Sequence, residues 1–448
     1  MSTKPKTFGA KKYSFYIKTF GCQMNKYDSE RIAGLLHKCK AHFEKDIQNA
    51  DIIVFNTCTV RESADDRLFG QLGNLKGLKE EKPDLIIAVG GCLAQSYGEK
   101  LLLKFPQIDI VFGTHNIERF PYLLKRRILT GNRVIELKKE STYDISCLPS
   151  SREKSFSAWV SIMRGCNNFC SYCIVPYVRG RQSSRPSSQI IKEVNNLVSS
   201  GVIEITLLGQ NVNSYGKDLV DDLNFPKLLK SLSEISGLKR IRFITSHPKD
   251  FNSETIKVVV ESESLCNHFH LPLQAGSNKV LKDMNRGYRK DEYLRLIEEI
   301  YNITPDASIT TDIIVGFPTE TEEDFLETLD VVEKVKFDNA FTFIYSPRPG
   351  TKAIKFNNNF SHKEKMNRFN RLLEKQTAIS LMKNDQLIGK SFDVLVENFS
   401  KKDKEMLMGR TKTNKIVNFK GDSNLIGRIV YVDIISAKAH YLIGKLKL

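Results

Sequence analysis

The sequence of 448 residues contains no run approaching ~18 consecutive apolar residues, which argues against a membrane-spanning helix. Its basic start, MSTKPKTFGAKKYS, is followed by no apolar stretch, so no secretory signal is expected. Cysteine is sparse and odd in number, with nine residues: Cys22, Cys39, Cys58, Cys92, Cys147, Cys166, Cys170, Cys173 and Cys266. Such a set is not a disulfide framework. It fits buried, catalytic or metal-binding thiols in a reducing compartment, and a cytoplasmic protein with no membrane partner is the expectation. Acidic residues are also in deficit: 52 Asp and Glu stand against 68 Lys and Arg, a formal net charge of +16. That excess points to an anionic macromolecule, RNA or DNA foremost, with a solvated lysine-rich surface as the competing reading.

What is present is a large, ordinary apolar fraction of 41%. At ~150 residues per domain the length suggests about three domains, with a core that needs no covalent staples. Residues 12–128 read as alternating strands and helices. Apolar runs at 14–20, 52–55 and 85–89 predict buried strands, with helical patterns at 29–39 and 61–79. This alternation predicts an α/β domain with an open parallel sheet. Residues 129–154 are polar, basic and aperiodic, and read as a linker.

Over 155–385 the alternation resumes, with six apolar runs at 158–163, 203–208, 241–244, 268–273, 309–315 and 340–345. Six βα-like units in series predict a full or partial βα barrel, whose site lies at the C-terminal ends of the strands. A helix at 319–336 is expected to open on a Thr319/Glu322 capping box. Another, at about 361–383, should open on Ser361/Glu364. Residues 386–448 show short alternating strands with glycine turns and predict a small β-barrel.

The segment Met163-Arg-Gly-Cys166-Asn-Asn-Phe-Cys170-Ser-Tyr-Cys173 follows the first predicted barrel strand. Three thiolates do not complete a tetrahedral zinc site, but they can hold three irons of a 4Fe–4S cluster and leave the fourth open. A zinc site completed by Cys147 or His268 is the competing reading. Phe169 and Tyr172 fit a role in covering a cluster.

Cys22, Cys58 and Cys92 each follow a predicted parallel strand of the first domain. That edge is where open α/β sheets bind ligands, so three thiols distant in sequence would meet in space. Three unrelated buried cysteines are the alternative. Cys39 and Cys147 read as structural, and Cys266 as core.

The wording around these residues resembles a known family. TFGCQMNKYDSE, NTCTVRESA and GGCLAQ resemble the N-terminal domain of methylthiotransferases. SIMRGCNNFCSYCIVPYVRGRQSSRP, LLGQNVNSYG, HFHLPLQAGSNKVLKDMNRGY and TTDIIVGFPTETEEDF resemble that family's radical S-adenosylmethionine (SAM) core. VENFSKKDKEMLMGRTKTNKIVNF and the strands after it resemble a TRAM domain, a small RNA-binding barrel. Gln23-Met24 after the first cysteine, RESA at 61–64 and YSPRPGT at 345–351 fit the MiaB type, which acts on N6-isopentenyladenosine in tRNA. Arg164 departs from the acid that is common at its position.

The resemblance implies two 4Fe–4S clusters. A SAM-binding cluster would sit on Cys166, Cys170 and Cys173, and an auxiliary cluster on Cys22, Cys58 and Cys92. One SAM would methylate sulfur at the auxiliary cluster. A second would yield the 5′-deoxyadenosyl radical that takes the adenine C2 hydrogen at position 37, beside the anticodon. Gln210, Asn211, Ser246, Gln274 and Asp312, at strand ends, are the candidate SAM contacts. Lys401, Lys402, Lys404, Arg410, Lys412 and Lys415 are candidates to hold the phosphates of the anticodon stem-loop.

Flavodoxin or ferredoxin as electron donor, the iron–sulfur assembly machinery as partner, and a monomer are further expectations. The competing functions are methylthiolation of a ribosomal protein or of threonylcarbamoyladenosine tRNA, and a non-catalytic iron–sulfur RNA-binding sensor.

Overall fold

The computed structural model describes residues 12–59, 62–138, 148–220, 223–357 and 360–447. Cys147 lies outside them. The chain forms two compact units. One comprises Met1–Glu153, Arg164–Asn167 and Cys173–Arg185, and the other Lys154–Met163, Asn168–Tyr172 and Pro186–Leu448. Among the described residues no helix is long and apolar enough to cross a membrane.

The first unit runs β1 (Ser14–Thr19), α1 (Gln23–Lys38), β2 (His42–Phe43), β3 (Ile52–Thr57), α2 (Glu62–Glu81), β4 (Ile86–Gly91), α3 (Cys92–Tyr97), α4 (Glu99–Lys104), β5 (Ile110–Phe112), α5 (Phe120–Thr130) and β6 (Val134–Glu136). Its strands form one parallel sheet in the order β2-β1-β3-β4-β5-β6. Every residue of β3 and β4 is buried, as expected of strands covered on both faces.

The sheet therefore has twice the strands that the apolar runs predict. β2, β5 and β6 are only two or three residues long, too short to carry a period. β6 falls inside the stretch read as a linker. Helix α1 also starts at Gln23, six residues before its apolar pattern begins. Its first turns bury polar groups, Asn25, Asp28, Ser29 and Arg31, which hide the helical period.

The chain continues through β7 (Ser157–Ser161), β8 (Met163–Arg164), α6 (Val175–Arg179), β9 (Ser183–Ser184), α7 (Ser187–Ser199), β10 (Glu204–Leu208), α8 (Phe225–Ser233), β11 (Arg240–Phe243), α9 (Ser253–Glu261), β12 (His268–His270), α10 (Asn278–Asp283), α11 (Lys290–Ile303), β13 (Ser308–Val315), α12 (Glu322–Val335), β14 (Asn339–Ile344) and α13 (His362–Asp385). The six predicted barrel strands are present. They form two parallel sheets, β11-β10-β7 and β12-β13-β14. The bridge Ile241–Leu265 and the bond from Cys266 N to Ile241 O (3.0 Å) link β11 to the chain entering β12. Val160, Ile205, Ile241, Ile309 and Ile313 pack with helix residues such as Val194 and Leu228 into one core. Cys266 is buried, as read.

One cap differs from the reading. Helix α12 is capped by Thr321 with Asp324, not by Thr319 with Glu322. Glu320 is drawn back to Gly316 N (2.8 Å) and Arg368, so the turn ends two residues later. The Ser361/Glu364 box on α13 is as expected.

The last strands, β15 (Ser391–Phe399), β16 (Met406–Arg410), β17 (Ile416–Lys420), β18 (Ile429–Lys438) and β19 (Tyr441–Leu446), close into a barrel in the order β15-β16-β17-β19-β18. Val394, Val396, Leu407, Val417, Phe419 and Val432 fill it. Two buried arginines of β11 reach its backbone. Arg240 donates to Arg410 O (2.6 Å), to Asp393 O (2.9 Å) and to Asp393 Oδ2 (2.9 Å). Arg242, paired with Glu204 (2.9 Å), donates to Thr411 O (2.8 Å) and Lys412 O (3.1 Å).

Removing Arg240 strips a fully buried cation from three acceptors. Arg240→Ala should lower the unfolding free energy by about 3 kcal/mol, read as the urea midpoint. An unshifted midpoint would mean that the C-terminal barrel is not held by this residue.

Candidate active site

In the first unit, β1, β3 and β4 are neighbours in the sheet. Their register sets Thr19 against Asn56 and Thr57 against Gly91, so the strands finish level. Cys22 caps α1, Cys58 follows β3, and Cys92 opens α3. All three thiols thus stand on the C-terminal edge, as the sequence predicts.

Two glycines permit this approach. Gly21 has φ +121°, and a Cβ there would lie 2.1 Å from Cys58 Cβ. Gly91 has φ +92°, and its Cβ would meet Thr57 O at 2.4 Å. As a thiol, Cys22 Sγ donates to Asn25 Oδ1 (3.3 Å), and Asn25 Nδ2 is tied to Thr57 O (3.0 Å). Among the described residues, no three His, Cys, Asp or Glu side chains stand in a closed metal-ligand arrangement.

The electrostatics favour thiolate at Cys22. A hydrogen bond with Cys58, the Arg179 charge and the amides of Asn25 and Met24 outweigh desolvation and bring it down to about 6. Burial pushes the Cys92 thiol up, against the pull of Arg179. Arg179 was not picked out from the sequence. It is buried, donates from Nε to Cys92 Sγ (3.3 Å) and from Nη2 to Asp28 Oδ2 (2.9 Å). His115, also buried, is pushed down to about 4 by desolvation and by Arg164 and Arg179, and neither ring nitrogen has a partner among the described residues.

Cys166, Cys170 and Cys173 lie within eight consecutive residues of the chain. Gly165 has φ +71°, and a Cβ there would meet Arg181 O at 1.9 Å. Cys166 N donates to Gly180 O (3.2 Å) in the first unit. In the second unit, Cys170 Sγ accepts from Arg286 Nη1 (3.4 Å). Arg286 is buried, donates to Pro272 O (2.9 Å) and contacts Tyr172 and Tyr288. It is a second buried arginine on sulfur that the sequence reading missed.

The predicted SAM contacts lie where the barrel strands end. Gln210 and Asn211 follow β10, Ser246 follows β11, and Gln274 follows β12. Asp312 is set further back, in the middle of β13, with His270 Nε2 at 3.5 Å. Among the described residues, Gln210 Oε1, Asn211 Oδ1, Ser246 Oγ and Gln274 Oε1 are buried without a hydrogen-bond partner. Buried polar atoms left without partners are costly, and a set of them at strand ends fits a polar ligand. Asn211 Nδ2 is held by Asp250 Oδ2 (2.6 Å). Asn213 and His247 Nε2 share the same lack of partners and were not predicted. Thr245 (φ +69°) and Gln274 (φ +72°) adopt left-handed backbone here, strain of the kind that gathers at functional sites.

Of the six basic residues proposed for RNA, three serve the protein's own structure. Lys415 is paired with Asp338 (2.6 Å), Arg410 with Glu397 (3.1 Å), and Lys412 donates to Glu263 O (2.8 Å). Lys401, Lys402 and Lys404 are exposed.

Residues 14–113 match the family described as "Uncharacterized protein family UPF0004", 160–332 the radical SAM superfamily, and 385–447 the TRAM domain. The chain is 50% identical over 434 residues to the tRNA-2-methylthio-N(6)-dimethylallyladenosine synthase of Thermoanaerobacter pseudethanolicus, covering 96% of this chain and 92% of that protein. It is 49% identical to the protein of the same name from Caldicellulosiruptor saccharolyticus, covering 97% and 93%. Among solved structures, the radical SAM methyltransferase TsrM from Kitasatospora setae shares the fold, with TM-score 0.53 at 13% identity over 74% of this chain and 72% of that one.

The glycine geometry is open to test. Gly21→Ala and Gly91→Ala should each cost about 2–4 kcal/mol by thermal denaturation, since both strain and overlap oppose the added methyl. Gly70→Ala in α2, with nothing within 4 Å of its Cβ, should not destabilise. Equal melting of all three would refute the close approach of the loops.

Proposed function

The chain belongs to the tRNA-2-methylthio-N(6)-dimethylallyladenosine synthases, and on that premise we propose how its residues carry out the reaction. It is a radical SAM methylthiotransferase that uses 4Fe–4S clusters and SAM and acts on tRNA. The target is adenine C2 of the prenylated base at position 37, beside the anticodon. When bound, SAM on an open-iron cluster supplies the radical chemistry that removes an unactivated hydrogen, and the auxiliary cluster supplies the sulfur.

Cys166, Cys170 and Cys173 hold the SAM-binding cluster, and Arg286 steadies the Cys170 thiolate. Gln210, Asn211, Ser246 and Gln274 give SAM the partners that their own polar atoms lack, with Asp312 deeper in the half-barrel. Burial and the nearby Arg286 push His247 down to about 2, so it meets the ligand as a neutral imidazole. Cys22, Cys58 and Cys92 hold the auxiliary cluster. What supports this reading most is the placement of these three thiols at the ends of three adjacent parallel strands, beside Gly21 and Gly91, where an added Cβ would collide with Cys58 and Thr57.

Functional labour divides into residues 12–128 for the auxiliary cluster, 155–385 for radical chemistry and 386–448 for RNA. Lys401, Lys402 and Lys404 position phosphates, and the target base is splayed from its loop to reach the site. Because the substrate is tRNA, we infer that the reaction takes place in the cytoplasm. There a flavodoxin or ferredoxin would deliver the electron, and the iron–sulfur assembly machinery would load a monomeric chain.

The test is an anaerobic assay of protein reconstituted with iron and sulfide, given SAM, a reductant and an anticodon stem-loop carrying isopentenyladenosine. The methylthio nucleoside and 5′-deoxyadenosine should both appear by mass spectrometry. Replacing Cys22, Cys58 and Cys92 together by Ala should halve the bound iron, from about eight to about four per chain, and stop methylthiolation. SAM cleavage should survive. SAM cleavage with unchanged RNA in the parent protein would refute the substrate, and neither product would favour a binding protein. In binding assays, replacing Lys401, Lys402 and Lys404 by Ala should reduce the salt slope for RNA by about 2.

A further inference from the structure

The assigned ligands leave one buried charge of the first unit unexplained. Arg179 ends α6, six residues after Cys173, and is only 5% exposed. A guanidinium taken out of water must find anionic or strongly accepting partners, or its burial costs several kcal/mol. It has two. Asp28, itself 3% exposed, accepts from Nη2 at 2.9 Å, and Cys92 Sγ accepts from Nε at 3.3 Å.

The fork is fixed from several sides. Thr114 Oγ1 donates to Val178 O (2.6 Å), which anchors the turn before Arg179. Ile174 and Val178 pack against Cys92 itself. Asp28 lies on α1, the helix that Cys22 caps. One buried ion pair thus ties the helix of the first thiol to the sulfur of the third.

We propose that Arg179, oriented by Asp28, is a positioning residue that fixes the Cys92 thiolate and sets the reduction potential of the cluster bound there. This rests on the assignment of Cys22, Cys58 and Cys92 as cluster ligands. The physical reason is general. An N–H donor and a positive charge at a ligating sulfur stabilise the more negative, reduced state and raise the potential. A carboxylate beside the cluster does the opposite. The arginine and its aspartate therefore act with opposite signs on the same sulfur, and only the guanidinium touches it.

The measurement is a potentiometric titration, followed by electron paramagnetic resonance, on full-length protein in which Cys166, Cys170 and Cys173 are Ala, so that only the auxiliary cluster is seen. Arg179→Met should shift the midpoint to more negative potential. Asp28→Asn should shift it to more positive potential, and the double variant should fall between the two. Arg179→Lys, which keeps the charge without the fork, should recover part of the shift.

A role confined to packing would lower the melting temperature of every variant and leave the midpoints where they are. That outcome would overturn the proposal, as would shifts of the same sign in Arg179→Met and Asp28→Asn. If the parent of this series bound no iron, the ligand assignment would fall, and the proposal with it.

Discussion

Parallel strands in one sheet require the chain to return to the same side after each, so their C-terminal ends collect on a common edge. The chemistry of both units depends on that constraint. In the first, three strands finishing level bring Cys22, Cys58 and Cys92 to one rim from three separate stretches of chain. In the second, the same rule lines up Gln210, Ser246 and Gln274 behind β10, β11 and β12. The helices that cross back supply the burial, and the rim is left for polar atoms. Glycine is required at Gly21, Gly91 and Gly165, where a Cβ would collide with the neighbouring chain beside the thiols.

A second regularity is the use of buried arginine. Arg179 and Arg286 each present a guanidinium to a cysteine sulfur, while Arg240 and Arg242 present theirs to backbone carbonyls of the C-terminal barrel. In each case several acceptors are engaged at once. The planar fork explains the choice of residue, since lysine offers one point charge where these positions need two or three directed donors. The sulfur-facing pair suits thiolates, which must be deprotonated to bind metal and are disfavoured by burial alone.

What was legible in the sequence follows from these physics. Strands buried on both faces are continuous apolar runs, so β3, β4, β10 and β11 stood out, and cysteines could be placed at the ends of β3 and β4. Strands β2, β5 and β6 are too short to show a period. The start of α1 was hidden because its inner face is polar, carrying the Asn25 and Asp28 that serve the thiols. Arg179 and Lys415 look like any surface cation in a basic chain. Only tertiary structure distinguishes an arginine on sulfur, or a lysine held by Asp338, from a lysine free to meet phosphate. The Thr321 cap was missed because Glu320, which reads as a helix residue, is claimed by Gly316 and Arg368.

The attachment of the C-terminal barrel bears on how RNA affinity becomes catalysis. A domain on a loose tether raises the local concentration of its ligand but leaves its orientation free. Here Arg240 and Arg242 grip the barrel through its backbone from β11, and Lys415 and Lys383 share Asp338, which sits just before β14. The exposed Lys401, Lys402 and Lys404 are therefore fixed relative to the strands whose far ends carry the orphaned polar atoms. Phosphate contacts of the kind proposed for those lysines would restrict where the rest of the RNA can lie. Radical abstraction needs the target carbon within reach of a short-lived reagent, and alignment of this kind is worth more than affinity alone. Arg410, Lys412 and Lys415, first read as RNA contacts, would then serve the same end indirectly, by fastening the barrel that carries the other three.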